Sequence, residues 1–111
     1  MSSKISDDFD RLNATGLIKS TDRPVPNLST EQKAALNRKG NQFFNEGDVD
    51  SARRIFITTG YSDGLSRVGD FFLEKGSDLD ALKMYWLAHN RRKADPLIKK
   101  IAIIIETTLL D

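Results

Sequence analysis

The sequence contains no recognisable combination of nucleophile, base and electrophile that would define an active site. The single histidine, His89, has no nucleophile or carboxylate at a spacing that would define a catalytic set. The chain has no cysteine, which excludes disulfides, cysteine-ligated metals and thiol nucleophiles. We therefore predict a protein that is not an enzyme and needs no cofactor, with His89 as a polar residue at a helix end.

Closely spaced aspartates occur in three groups, and each group lies where a helix is predicted to start. The groups are Asp7/Asp8/Asp10, Asp48/Asp50 and Asp78/Asp80. Helix capping and the helix dipole account for all three. A calcium loop starting at Asp48 would need further oxygen ligands where Ala52 and Arg53 stand. We predict no metal site.

Residues 89–100 form the main concentration of positive charge. They carry five Lys or Arg against one Asp, in a chain whose formal net charge is only +1. These residues are the candidate phosphate contacts of an alternative function, nucleic-acid or ribosome binding: Arg91, Arg92, Lys93, Lys99 and Lys100. No interleaved aromatic residues or helix-turn-helix spacing support base recognition, so a solvated connector is the simpler interpretation.

The length of the chain limits its organisation. At 111 residues and 12.5 kDa it is long enough for one domain with a core of its own. The longest apolar run, Ile101 to Ile105, is too short to span a bilayer, and the first residues lack the apolar core of a signal peptide. We expect a cytoplasmic protein without a membrane partner.

The sequence predicts an all-α fold in two parts. Residues 1–28 are predicted to form a short helix, Ser6 to Asn13, followed by an extended strap that contains Pro24 and Pro26. The short helix would carry Ile5, Phe9 and Leu12 on one face. Residues 29–111 are predicted to form the helical domain.

Capping residues and glycines predict the helix boundaries of this domain. Starts are predicted at Ser29, Asp48, Ser62, Asp78 and Asp95, and glycine stops at Gly47, Gly60 and Gly76. Ser29 and Gln32 have the spacing of a capping box, and Pro96 would occupy the first position of the last helix. The β-branched residues in Ile55 to Thr59 leave a strand there as an alternative.

An internal repeat is the strongest pattern in the sequence. Leu36–Thr59 aligns without gaps on Leu65–Ala88 at an offset of 29 residues. The identical pairs are Leu36/Leu65, Arg38/Arg67, Gly40/Gly69, Phe43/Phe72, Gly47/Gly76 and Ala52/Ala81. The pattern predicts a helical hairpin written twice, in which the small Gly40 or Gly69 lets a neighbouring helix approach and Phe43 or Phe72 fills the gap.

The order of small, aromatic and turn residues in this repeat resembles the tetratricopeptide repeat. It departs from that family in length, 29 residues against the usual 34, and the second unit has no proline until Pro96. The resemblance implies stacked hairpins, closed by a capping helix, whose inner helices bind a peptide. The implied peptide-binding residues are Asn37, Arg38, Asn41, Asn45, Ser66, Arg67, Asp70 and Glu74. Asn37 and Arg67 do not match the set with which some members clamp a terminal carboxylate.

The predicted last helix is unusually apolar. Leu97, Ile98, Ile101, Ile105 and Leu109 form one stripe, and Ala102, Ile103, Ile104 and Leu110 widen it. Such a helix inserts between other elements, pairs with another chain or continues into further sequence. A structural homo-oligomer formed through residues 96–110 is therefore a third functional hypothesis, after nucleic-acid binding. The leading hypothesis is an adaptor module that binds a peptide or protein segment.

Overall fold

The computed structural model describes residues 21–110, apart from the side chain of Leu110, and this range is helical without a β-strand. The helices are α1 (Thr30–Asn45), α2 (Val49–Thr59), α3 (Ser62–Glu74), α4 (Asp78–Leu87) and α5 (Arg91–Leu110). The all-α prediction is confirmed, and the strand alternative for residues 55–59 was wrong because they lie in α2. The predicted helix Ser6 to Asn13 falls outside the described residues.

Local capping explains where the first two helices begin. The Ser29 hydroxyl oxygen accepts from the Gln32 backbone N–H at 3.0 Å, and the Gln32 side-chain oxygen accepts from the Ser29 N–H at 2.8 Å. Asp48 accepts from the Ser51 N–H at 3.1 Å. Both predicted caps are confirmed, and each satisfies an N–H that has no partner within its helix.

The turns that end the helices include one residue that the sequence did not flag. The predicted stop Gly60 has φ 70°, and His89, which follows α4, has φ 56°. His89 stands 29 residues after Gly60, so a histidine occupies the left-handed position that a glycine fills in the preceding unit.

The predicted start of the last helix at Asp95 was wrong. α5 begins at Arg91, after Asn90, whose side-chain oxygen accepts from the Lys93 N–H at 3.3 Å. Pro96 therefore lies inside the helix, where its ring removes one backbone hydrogen bond. The start of α5 repeats the start of α3, with Asn90 in the place of Tyr61.

The same backbone hydrogen bond forms at both of these starts. The N–H of Tyr61 donates to the Phe56 carbonyl at 3.1 Å, and the N–H of Asn90 donates to the Tyr85 carbonyl at 2.8 Å. The 29-residue periodicity thus continues past Ala88 into α5. Residues 89–94 are accordingly a turn and a helix start, which corrects their interpretation as a connector.

Each helix packs mainly on its neighbours in the sequence. α1 packs along α2 and α3 along α4, while α2 contacts α3 and α4 contacts α5. The buried side chains form two clusters, Ala52, Phe56, Leu65, Val68, Met84 and Ala88, then Ala81, Leu82, Tyr85, Ala94 and Leu97. Phe72 packs against both clusters and so links them. Between residues 21 and 110, no helix combines the length and apolarity needed to cross a membrane.

Aromatic rings lying on glycines set the closest approach between helices. A Cβ atom built on Gly40 would lie 2.6 Å from Cε1 of Phe56, and one built on Gly69 would lie 2.5 Å from Cε1 of Tyr85. The predicted small-residue contact is therefore present in both units. The predicted filling by Phe43 and Phe72 was wrong, because both are only half-buried and the rings in the gap come from the second helix of each pair.

The segment that precedes α1 lies across α2 and α4. The Val25 N–H donates to the Thr58 carbonyl at 2.8 Å, at the end of α2. Lys83 Nζ lies 2.9 Å from Asp22 Oδ2, and both side chains are only 13% exposed. These contacts fix residues 22–25 against the second helix of each pair.

Replacing Gly69 by alanine should destabilise the protein by about 1 to 3 kcal/mol, because the added methyl overlaps the Tyr85 ring. The cost of this overlap exceeds the stability that the higher helix propensity of alanine contributes. Urea unfolding measures this. In a Tyr85→Leu background the same replacement should cost much less. An equal cost in both backgrounds would show that the ring does not set the packing.

Replacing His89 by glycine should stabilise the protein by about 0.5 to 1 kcal/mol, because glycine adopts a positive φ without a Cβ penalty. His89→Ala is the matched control and should give no stabilisation. Thermal unfolding of both variants tests this, and a His89→Gly variant less stable than wild type would contradict it.

Candidate functional site

One side-chain bridge joins α1 to α3 on the face predicted to bind peptide. Arg67 Nη2 donates to the Asn41 side-chain oxygen. The Arg67 guanidinium also lies 5.5 Å from the Phe44 ring centroid and 6.0 Å from that of Phe56. The charge–ring contacts hold the guanidinium against α1 while it donates its hydrogen bond.

A second bridge joins α3 to α5. Lys93 Nζ lies 2.8 and 3.0 Å from the two carboxylate oxygens of Asp70, and the Tyr85 hydroxyl donates to Asp70 Oδ1 at 2.5 Å. Lys93 also lies 5.7 Å from the Tyr85 ring centroid. Lys93 stands 29 residues after Gly64 and therefore occupies the equivalent position in the repeat. Gly64 contacts the Phe56 ring, and Lys93 lies over the Tyr85 ring.

We call the surface formed by Asn37, Asn41, Arg67, Asp70 and Lys93 the ladder face. Asn37 lies one turn before Asn41 on the same side of α1, and its side-chain oxygen accepts from the Thr59 hydroxyl at 2.6 Å. Among residues 21–109, the side-chain amide nitrogens of Asn37 and Asn41 have no acceptor. Each of these amides is thus fixed by its oxygen and keeps two N–H donors for another molecule.

The other predicted peptide-binding residues divide into two groups. Ser66 accepts a hydrogen bond from the Asn90 side chain at 3.1 Å, a contact that fixes the end of α4 beside α3. Arg38, Asn45 and Glu74 are exposed, and their side chains form no hydrogen bond or ion pair with the part of the chain described. Most of the predicted residues therefore hold helices together, and three remain free.

Sequence reasoning missed Lys93 as a member of this face. It was assigned to the nucleic-acid hypothesis because the repeat alignment ended at Ala88. Extending that alignment by one more unit puts Pro96 at the position of Arg67. Proline carries no charge, so α5 pairs with α3 through Lys93, three residues before Pro96. The 29-residue offset was the signal that could have identified it.

The environment of Asp70 shifts the pKa values of two groups. Burial alone would raise the pKa of Asp70, but hydrogen bonds from Lys93 and Tyr85 and the charge of Lys93 outweigh it, and the pKa is lowered. Burial, and then the bond to this carboxylate, raise the pKa of the Tyr85 hydroxyl. At neutral pH Asp70 is therefore a carboxylate that accepts hydrogen bonds, and Tyr85 is a neutral donor.

The basic residues of α5 are largely compensated by carboxylates. Arg91 pairs with Asp95 at 3.3 Å and Lys100 with Asp78 at 2.8 Å, while Lys93 is engaged with Asp70. Of the five predicted phosphate contacts, only Arg92 and Lys99 lack a carboxylate partner within the described residues. Because of these ion pairs, the electrostatic potential at the surface of α5 is less positive than its number of lysines and arginines suggests.

His89 lines a shallow cleft of about 100 Å³ at the junction of α4 and α5. The other lining side chains include Trp86, Arg91 and Asp95, and none of the lining residues is a serine, threonine or cysteine. Across residues 21–110, no group of three His, Asp or Glu side chains could hold a metal ion. Among the described residues, the cleft therefore has no hydroxyl or thiol side chain of serine, threonine or cysteine beside His89.

Replacing Asp70 by asparagine should destabilise the protein at pH 7 by about 1 kcal/mol, the scale of a partly exposed charged hydrogen bond. Because the pKa of Asp70 is lowered by folding, its contribution is present above the usual aspartate pKa of about 3.9 and is lost as the pH falls below it. The difference in melting temperature should therefore shrink below about pH 4.

Glu74→Gln is the control for this measurement, because Glu74 is an exposed acidic residue on the same helix. It should have little effect at any pH. Equal destabilisation by Asp70→Asn and Glu74→Gln at pH 7 would contradict the role assigned to Asp70.

Comparison with known proteins identifies a relative of this chain. No protein-family model matches the chain, and no solved structure matches it. An uncharacterized protein of Treponema pallidum (strain Nichols) is 44% identical over 88 residues, which cover 79% of this chain and 85% of the relative. Identity at this level over most of both chains establishes common ancestry, and the protein therefore belongs to the same family as this Treponema pallidum protein.

Proposed function

We propose that the protein is a non-enzymatic interaction module that binds an extended segment of a partner protein along the ladder face. One observation carries the proposal: the Arg67–Asn41 and Lys93–Asp70 bridges connect α1, α3 and α5 into one polar surface. The first bridge joins α1 to α3 and the second joins α3 to α5. A segment bound along both bridges would therefore run across the helices.

The donors on this surface suit the backbone of an extended peptide. Such a peptide presents carbonyl oxygens that need N–H donors, and Asn37 and Asn41 each retain an amide nitrogen for that purpose. Their carbonyl oxygens are already held by Thr59 and Arg67. Binding would therefore cost little side-chain entropy, because these side chains are ordered before the partner arrives.

The tetratricopeptide resemblance supports the same function. The contacts of Gly40 with Phe56 and of Gly69 with Tyr85 recur at the period of the repeat, as stacked hairpins require. In this proposal α5 is the first helix of a third unit and caps the array.

The alternatives receive less support. Nucleic-acid binding is not favoured, because Arg91, Lys93 and Lys100 are paired with carboxylates. Homo-oligomerisation has one feature in its favour, the exposed apolar residues near the end of α5.

The double variant Asn37→Asp, Asn41→Asp tests the ladder face directly. Aspartate keeps the oxygen that accepts from Thr59 and from Arg67, but it removes the amide donors. We therefore expect unchanged folding and at least a tenfold loss of affinity, since each lost hydrogen bond costs about 1 kcal/mol.

The measurement is binding of the full chain to an array of unstructured peptides, followed by titration of the peptides that bind. Asn27→Asp, the same substitution in the segment before α1, is the matched control and should leave affinity unchanged. Absence of any bound peptide, or equal affinity for the double variant and wild type, would refute the proposal.

A further inference from the structure

The apolar stripe of α5 is buried in its first half and exposed in its second. Leu97 is 7% exposed against α4, and Ile98 and Ile101 pack against the same core. At the same helical spacing, Ile105 is 52% and Leu109 79% exposed. The exposed residues therefore continue the face that α4 covers.

The exposure arises because α5 is longer than the helix it packs on. α5 has 20 residues and α4 has 10, lengths of about 30 and 15 Å. The Lys100–Asp78 ion pair places residue 100 beside the first residue of α4. We call the residues that extend beyond it, 103–110, the overhang.

Beyond Ile103, the overhang has no counterpart in α1 or α3. α1 ends at Asn45 and α3 at Glu74, which correspond to Ile103 at the 29-residue offset. The overhang also exposes Ile103 and Ile104, at 62% and 53%. Contiguous exposed apolar residues of this kind mark contact surfaces. The repeat does not account for the apolar residues of the overhang, so we infer that another segment covers them.

The course of the N-terminal segment points towards the overhang. Followed backwards, the chain passes from Val25, at the end of α2, to Asp22, beside Lys83 in the middle of α4. The Asn90–Ser66 hydrogen bond places the end of α4 near the start of α3, where α2 also ends. Residues 25 to 22 therefore run from the end of α4 towards its beginning, which is the end from which the overhang emerges.

The length of chain before Asp22 is sufficient. The distance from Lys83 back to the start of α4, and then along α5 to Ile105, corresponds to about ten helical residues, or about 15 Å. Residues 13–21 can span up to about 30 Å when extended. The stripe Ile5, Phe9 and Leu12 would then meet a stripe of similar length on the overhang.

We propose that residues 5–12 form an amphipathic helix whose apolar face packs on the overhang of the same chain. The tether favours this occupant over a second copy, because a linked segment is present at an effective concentration in the millimolar range. Paired overhangs of two copies would bury much less than the roughly 800 Å² per partner of a standard interface. The negative charges of Asp7, Asp8 and Asp10 would also lie near Lys99 on α5.

Because the chain contains no cysteine, introduced cysteine pairs can test this contact without background. In the full-length Phe9→Cys, Ile105→Cys variant, mild oxidation should give an intramolecular disulfide, detected as a linked peptide in a protein of monomer mass. The control is Phe9→Cys with Arg38→Cys, since Arg38 is exposed on α1. We expect the first pair to close at least tenfold faster.

Equal closure rates for the two pairs would overturn the proposal. So would single Ile105→Cys chains that link into dimers faster than the double variant closes internally, since this would identify a second copy as the occupant. Neither result depends on the ladder face, so the peptide-binding proposal stands or fails separately.

A second measurement uses the loss of the Phe9 ring itself as the perturbation. Phe9→Asp should uncover the overhang and increase the fluorescence of an apolar dye several-fold. Ser3→Asp adds the same charge outside the 5–12 stripe and should leave the fluorescence unchanged. Unchanged dye binding by Phe9→Asp would also overturn the proposal.

Discussion

The architecture depends on two aromatic rings that lie against glycines. The Phe56 ring meets Gly40 of α1 and Gly64 of α3, where added Cβ atoms would lie 2.6 and 2.7 Å from it, and is fully buried. The Tyr85 ring occupies the same position on Gly69. A side chain on any of these glycines would separate the helices, and the bridges of the ladder face span only hydrogen-bond distances. The polar surface therefore exists because the core beneath it is close-packed.

The two rings also differ in one atom that links the core to the surface. Tyr85 carries the hydroxyl that Phe56 lacks, and this hydroxyl donates to Asp70. Asp70 in turn holds Lys93 on α5. Tyr85 is thus coupled to the ladder face through hydrogen bonds. Phe56 has no such bond, and Arg67 instead lies over its ring and donates to Asn41. The same backbone repeat supports two chemically different bridges.

Features set by local chemistry could be predicted from the sequence. The capping box at Ser29 and the left-handed stop at Gly60 depend on neighbouring residues, and both were predicted correctly. The start of α5 was not, because Asp95 followed by Pro96 is a strong local signal that tertiary packing overrode. The roles of site residues were harder still. The repeat alignment predicted Asp70 as a peptide-binding residue, but its pairing with Lys93 depends on how α3 and α5 lie in space.

The central claim is that the ladder face, with the amide donors of Asn37 and Asn41 held in place, binds an extended peptide. The most direct measurement is a nuclear magnetic resonance titration of the ¹⁵N-labelled full chain with a peptide selected from the array, following side-chain amide signals. The account predicts that the signals of Asn37 and Asn41 shift with saturation while that of Asn27 stays unchanged. Shifts confined to residues of α2 and α4, with both asparagine signals unmoved, would contradict it.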